Sequence, residues 1–212
     1  MKIDRSERGW RGTPEVWLDA AYDLLVEGGV EAVKVMLLAE RLGLSRTSFY
    51  WHFSDREALL AGLLDRWQAK NTGNLVARCE AEAATISEAM LNLFDCWIDP
   101  GLFDSRLEFA MRTWSLTDPS VAAAMTRADN DRIAAITAVF CRFGYPRTEA
   151  DARARTLYLT QVGYIVLRSN EDFDVRMERI PSYVLTFSGK APNAAETAAF
   201  RARHAVRSSA RA

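Results

Sequence analysis

The chain has 212 residues and a mass of 23.8 kDa, the size of one large domain or two small ones. At 49% hydrophobic and 26% charged it has the balance of a soluble globular protein, which excludes a disordered or collagen-like chain. A formal net charge of −1 gives no overall attraction to nucleic acid or membrane, so any such partner must be met by a local patch.

The longest nearly apolar stretch, Leu157 to Leu167, falls short of the ~20 residues that cross a bilayer. Met1–Gly12 carries Lys2, Arg5, Arg8 and Arg11 with no apolar run behind them, so it does not read as a secretory signal and a cytoplasmic location is expected. Cys79, Cys96 and Cys141 are widely spaced and odd in number, which suggests neither a disulfide framework nor a zinc site. With only His52 and His204 as histidines, no metal or other cofactor is expected.

Helix is the only period that repeats. Pro14, after Thr13 as N-cap, opens a first helix whose acids Glu15, Asp19, Asp23 and Glu27 recur every fourth residue; Trp17, Ala20, Ala21, Leu24 and Leu25 fall opposite, and Gly28-Gly29 ends it. A second helix, about Val35 to Leu42, has Val35, Leu38, Ala39 and Leu42 on one face. Gly43 breaks the chain, Leu44 plugs the corner, and Ser45 caps a third helix to about Phe53. Ser54-Asp55 restarts a fourth with Leu60, Leu63, Leu64 and Trp67 inward, and the 71–74 cluster Asn-Thr-Gly-Asn is expected to kink or end it.

Further helices are predicted over about 85–98, 104–116, 119–142, 148–168 and 175–187, the last containing Pro181. No strand-length alternation occurs. The predicted architecture is all-α with about nine helices: an N-terminal three-helix domain over 1–54, a C-terminal helical bundle over 55–189, and a basic Ala/Arg-rich tail over 190–212. That tail, with Lys190, Arg201, Arg203, Arg207 and Arg211 against Glu196, is expected to fray or be disordered, the alternative being a contact with DNA phosphate.

Two short helices joined at Leu42-Gly43-Leu44-Ser45 form the pattern of a helix-turn-helix. Phe49 and Phe53 give the third helix its inward face. Thr47 and Trp51 then point away, with Ser48 and Tyr50 on the flanks and His52 nearer the edge. Hydroxyls and ring N–H groups so grouped suit phosphates and base edges in a major groove; Arg46 suits guanine and Thr47 a thymine methyl. The competing reading packs Tyr50 and Trp51 against the fourth helix as core.

These residues, with Ala20-Ala21, Leu24, Gly28 to Val30, Ala39 and Glu57-Ala58-Leu59-Leu60, make the stretch from Val16 to Leu64 resemble the N-terminal domain of tetracycline-repressor-type (TetR family) transcriptional regulators. The run from Tyr50 to Glu57 carries the most specific part of that likeness. The resemblance implies that Tyr50 and His52 bond backbone phosphates, that Arg46, Thr47, Ser48 and Trp51 form the base-reading surface, and that Arg56 replaces a phosphate-binding lysine. Lys34 departs from the family's usual capping Thr or Ser, leaving an ammonium that can meet phosphate; Met36 lies near a position that is sometimes a base-reading arginine. Residues 1–56 hold eight Lys/Arg against nine Asp/Glu, so the phosphate attraction rests on Lys34, Arg46, Arg56 and the N-terminal arm, and a shallow salt dependence is expected.

One short reading helix limits specificity, so a homodimer on two half-sites of double-stranded DNA is expected. Tyr158, Val162 and Ile165, on a helix apolar nearly all round, and Tyr183 and Phe187 beyond it, are the candidate interface; the resemblance implies dimerisation through the last two long helices, and core burial is the alternative. Trp67, Phe94, Trp97, Phe109, Met111, Trp114 and Gln161 are candidate ligand contacts, with Thr113 and Cys96 as further polar groups, although such side chains at helical spacing are often plain core. The resemblance implies an effector pocket there whose filling moves the fourth helix. The expected function is a dimeric, sequence-specific regulator, a repressor released by a small apolar or aromatic ligand. The alternatives are an all-α enzyme, for which no catalytic motif is present, or a helix-turn-helix that contacts protein instead of DNA.

Overall fold

A computed structural model describes residues 12–169 and 171–209, the last four by backbone only, so the expected N-terminal arm (Lys2, Arg5, Arg8, Arg11) and Arg211 lie outside the described residues. Every regular element among them is helical. Helix α1 (Pro14–Gly28) has proline in its first turn, where a missing N–H costs nothing, and buries the predicted stripe Trp17, Ala20, Ala21, Leu24 and Leu25. Gly29 ends it at φ +74°, and a 3₁₀ turn (Val30–Ala32) leads into α2 (Val35–Leu42). Gly43 adopts the left-handed conformation, φ +64° and ψ 33°, that the sharp corner demands.

Helix α3 spans only Arg46–Phe49, capped by the Ser45 hydroxyl, which accepts from Ser48 N at 3.2 Å. The pattern predicted a helix to about Phe53. Instead His52 N bonds the carbonyl of Phe49 three residues back, tightening the last turn, because Asp55 must already stand extended to accept from Ala58 N at 2.8 Å and start α4 (Arg56–Trp67). Trp17 meets Phe49 edge-on at 5.4 Å between centroids, and Gly62 lets α4 approach Leu18 closely. The acidic ridge of α1 stays at the surface, with Asp19 on Arg66 at 2.6 Å and Glu27 on Arg41 at 2.5 Å.

The 71–74 cluster neither ends nor interrupts the helical path. Helix α4 runs through a π-helical segment (Gln68–Gly73) into α5 (Asn74–Glu80). The wider turn carries Asn71 and Thr72 into the interior, where their side chains are bonded. Capped by Thr85, Asp104 and Asp118 in turn, α6 (Ile86–Ile98), α7 (Ser105–Ser115) and α8 (Pro119–Arg142) follow, then α9 (Arg147–Val166) and α10 (Phe173–Ser188), the latter helical on both sides of Pro181.

The tail departs from expectation. Residues 194–209 form α11 (Ala194–Ser209), a helix where a frayed or disordered tail was expected. Phe200 is buried against α6, His204 bonds Asp95 Oδ1 through Nε2 at 2.8 Å, and Thr85 donates to Glu196. With α5 and α11 added, the described residues contain eleven α-helical segments where about nine were expected.

Two apolar cores result. One lies among α5, α6, α8, α9, α10 and α11. The other is built on Trp17, Leu38, Phe49, Leu59 and Leu63 of the N-terminal helices, and continues without a break through Trp67, Met111 and Trp114 to Val121 and Met125. Apolar packing therefore crosses the boundary expected after residue 54.

Candidate nucleic-acid interface and ligand cavity

The third helix and the turn after it present one uneven face. Tyr50 is 59% exposed and Trp51 63%, with Arg46 and Thr47 also in solvent; Lys34, at the unbonded N-cap of α2, is exposed as well. Large aromatics gain by leaving water, so two on a surface make it a candidate contact face. The alternative that both pack into the core does not hold, although Tyr50 lies edge-on to Phe49 at 5.3 Å. Met36 is exposed on α2.

Three of the predicted contacts are placed differently. Ser48 is only 9% exposed and its hydroxyl pairs with the Ser45 hydroxyl at 3.0 Å, so it locks the cap and leaves the reading face. Arg56 donates from Nε to Val33 O at 2.6 Å and from Nη2 to Val30 O at 2.7 Å, while Nη1 lies 3.5 Å from Glu57. It clamps the loop before α2 onto the start of α4, and its charge is largely committed there. His52 is half-buried, with Nε2 enclosed and without a hydrogen-bond partner among the described residues. The exposed set is therefore Lys34, Arg46, Thr47, Tyr50 and Trp51.

Behind this head lies a buried ionic cluster that the sequence reading did not identify. Glu108 is fully buried; Oε1 accepts from Arg132 Nη1 at 2.8 Å and forms an ion pair with Arg112 Nη2 at 2.8 Å, and Oε2 accepts from Trp67 Nε1 at 2.7 Å and Asn71 Nδ2 at 3.0 Å. Tyr158 accepts from Arg132 at 2.9 Å and donates to Asp129 at 2.6 Å. Arg132 also donates to Thr72 at 3.0 Å. Burial alone pushes the Glu108 carboxyl up, but the two guanidinium groups and their hydrogen bonds hold it below the usual carboxylate range.

A cavity of about 430 Å³ opens where α1, α6, α7, α9 and α10 meet. Trp97, Phe109 and Gln161 of the candidate ligand contacts line it; the other four do not. Trp67 is spent on Glu108, Met111 and Trp114 fill the core shared by the head and the body, and Phe94 stacks on Phe187 at 6.4 Å. Thr113 is exposed and bonds back to Phe109 O, and Cys96 is buried with its sulfur toward Asn74 O, so neither reaches the cavity. The walls missed at first are Tyr164, Ile165, Arg168 and Arg176 from α9, α10 and their connection, Arg106 from α7, and Val26 and Glu27 from the last turn of α1. Arg176 had a legible signal: it sits three residues after Phe173 and four before Ile180, a charge on an apolar stripe.

The candidate interface divides likewise. Tyr158 and Phe187 are 1% and 5% exposed, held by the ionic cluster and the core, so they cannot reach a partner. Val162, Ile165 and Tyr183 are half-buried. The apolar side chains left in solvent on these two helices are Leu159 and Val166 of α9 with Val175 and Leu185 of α10, and the space beside Gly163 is open. No helix among the described residues is long and apolar enough to cross a membrane, and no group of His, Cys, Asp and Glu there could hold a metal ion.

Residues 18–63 match the sequence family described as bacterial regulatory proteins, tetR family. The class A tetracycline repressor protein from transposon 1721 of Escherichia coli is 40% identical over 67 residues, 32% of this chain and 31% of that one. The uncharacterized regulator YdeS of Bacillus subtilis is 31% identical over 122 residues, 53% of this chain and 62% of its own length. The chain thus spans between about a third and three-fifths of these relatives. Among solved structures, a transcriptional regulator from Rhodococcus sp. Rha1 superposes with a TM-score of 0.54 at 22% identity, over 85% of this chain and all of that one. Salmonella enterica GusR gives 0.57 at 15%, over 90% and 92%. At such identities the likeness is one of fold.

Proposed function

We propose that the chain, whose residues 18–63 match the TetR family of bacterial regulatory proteins, is a regulator of that family: a sequence-specific, DNA-binding transcriptional regulator working as a homodimer. The observation that carries this reading is the exposed face of α3 and its following turn: Tyr50 and Trp51 in water beside Arg46, Thr47 and Lys34, on a rod braced from behind by Trp17 and Phe49. Guanidinium, ammonium and phenol offer donors for phosphate and base edges without an acid among them, beside the exposed indole of Trp51. The sequences matched are those of regulatory proteins, which are not enzymes.

Dimerisation is supported by the solvent-facing Leu159, Val166, Val175 and Leu185, a stripe across α9 and α10 whose removal from water would stabilise a pair of subunits by ~25 cal/mol per Å² of apolar area, before the cost of association. Repression relieved by a small ligand is the regulatory mode proposed, on the strength of a cavity that borders both the body and α1.

The test is a gel shift with duplex DNA from upstream of the gene. Arg46→Ala combined with Trp51→Ala is expected to abolish the shift while circular dichroism and the mass in solution stay those of the parent. A retained shift in that variant would reject the assigned face, and a loss of shift accompanied by capture of protein alone would favour a protein-contact role.

A further inference from the structure

We infer that the cavity between α1, α6, α7, α9 and α10 holds a small aromatic carboxylate, with its ring against Trp97 and Tyr164 and its carboxylate on Arg176 and Gln161. This rests on the ligand-responsive reading above and gives that ligand a charge the sequence did not suggest. The volume, about 430 Å³, is that of a site for a small organic molecule.

Charge argues first. Arg176 lines the cavity with its guanidinium carbon 5.9 Å from the Tyr164 ring, and no hydrogen bond or ion pair of its side chain is found among the described residues. Glu171 attracts it electrostatically without pairing to it, and the neighbouring carboxylates have closer partners of their own. Glu171 is 2.6 Å from Arg179, Glu27 is 2.5 Å from Arg41, and Asp172 caps α10. Burial disfavours the charged form of Arg176 and lowers its pKa, so an anion placed there would relieve a standing cost. Arg106 and Arg168 stand in the same wall, the latter 5.5 Å over the Phe109 ring, which sets three guanidinium groups against the one carboxylate of Glu27.

Two neutral groups make the same demand. Gln161 is 4% exposed and its carboxamide has no hydrogen-bond partner among the described residues. Trp97 is 6% exposed and its Nε1 is likewise unpartnered. The sealed indole N–H costs about 1–3 kcal/mol unpaired, whereas the Gln161 carboxamide, in the cavity wall, is left for a ligand to meet. A neutral apolar ligand would leave Arg176 and Gln161 unpaired, and a cation would meet three guanidiniums. A flat anion satisfies the aromatic walls and the donors at once.

Calorimetry and tryptophan fluorescence on the full chain without DNA test this, using naphthoate, the neutral naphthylmethanol and the cationic naphthylmethylamine as probes. Naphthoate is expected to bind at least about tenfold more tightly than the alcohol at low salt, as a charge-assisted pair requires, and the amine not at all. Arg176→Gln and Gln161→Leu should each bring naphthoate down toward the alcohol and leave the alcohol unchanged; Arg176→Lys, which keeps the charge, should restore part of the gap. Equal binding of acid and alcohol, no binding of naphthoate, or an unaltered preference in a folded Arg176→Gln variant would each overturn the assignment. If Arg176→Gln fails to fold, Gln161→Leu and the parent's acid-over-alcohol ratio decide alone. A protein that binds naphthoate yet never shifts DNA would sink the regulator reading only, and one that shifts DNA but ignores naphthoate would sink this inference only.

Discussion

A carboxylate taken wholly out of water survives only if each of its oxygens is met, and at Glu108 four groups from three stretches of chain do so: Trp67 and Asn71 donate to one oxygen, Arg132 donates to the other, and Arg112 pairs with that oxygen by charge. Removing one partner of a buried pair leaves the other charge uncompensated, so Glu108→Gln is expected to cost about 3–5 kcal/mol, read as a fall in the urea midpoint. The same carboxyl sets an acid limit. Its folded pKa lies below the unfolded value near 4.5, so its contribution is fully present above pH 4.5 and is lost as the pH falls through the folded pKa. Urea titrations should show that acid limb in the parent and a weaker one in Glu108→Gln. Nothing in the sequence announced this cluster. Glu108 and Arg112 stand four apart on α7 and look like an ordinary surface pair, and Arg132 and Asn71 join them only through the packing of α8 and of the π-helical segment. Two of the cysteines are shut away from solvent. Burial pushes the Cys96 thiol up to about 12 and the Cys79 thiol up as well, so neither should react with a thiol reagent in the native state at neutral pH.

At the scale of the element, the helix-turn-helix was readable because each residue's role is local: glycine at a left-handed corner, serine and aspartate at caps, and Phe49 inward. What the periodicity missed was the shortness of α3. An ideal wheel put Ser48 on the reading face, but its hydroxyl turns back to Ser45 and its side chain is buried. Arg56 likewise looked like a free cation until its two bonds to carbonyls appeared. Few cations therefore remain for phosphate on the described face, Lys34 and Arg46 foremost, and the plot of log affinity against log salt should have a slope corresponding to fewer than about ten released counterions per dimer. Filter binding over a salt series measures it; a steeper slope would mean that other basic residues take part. On α9 and α10 the sequence pointed to the right helices and mixed their faces, because a helix apolar nearly all round gives no phase. Burial supplies it: Tyr158 and Phe187 inward, Leu159 and Leu185 outward.

For the molecule as a whole, the outward stripe makes a direct forecast. Leu159→Glu would place a charge at the centre of the proposed subunit contact, and sedimentation should find the monomer while the helix content stays unchanged. A dimer that survives it would move the contact elsewhere. The extent of the head was not legible, since composition marks no seam after residue 54; only the packing shows Trp67, Met111, Trp114 and Met125 completing the core begun by Trp17 and Phe49. A fragment of residues 1–54 is accordingly expected to show no cooperative melt, whereas the full chain should lose head and body together on heating.

That unbroken core has a mechanical consequence. A head welded to α7 and the first half of α8 has no hinge of its own, so it cannot swing like a pendulum from the body. Any signal that respaces two heads on a duplex must tilt the whole wedge, with α1 riding on α7 where Tyr22 bonds Asp104, and the place to pry that wedge is the crevice beside Val26.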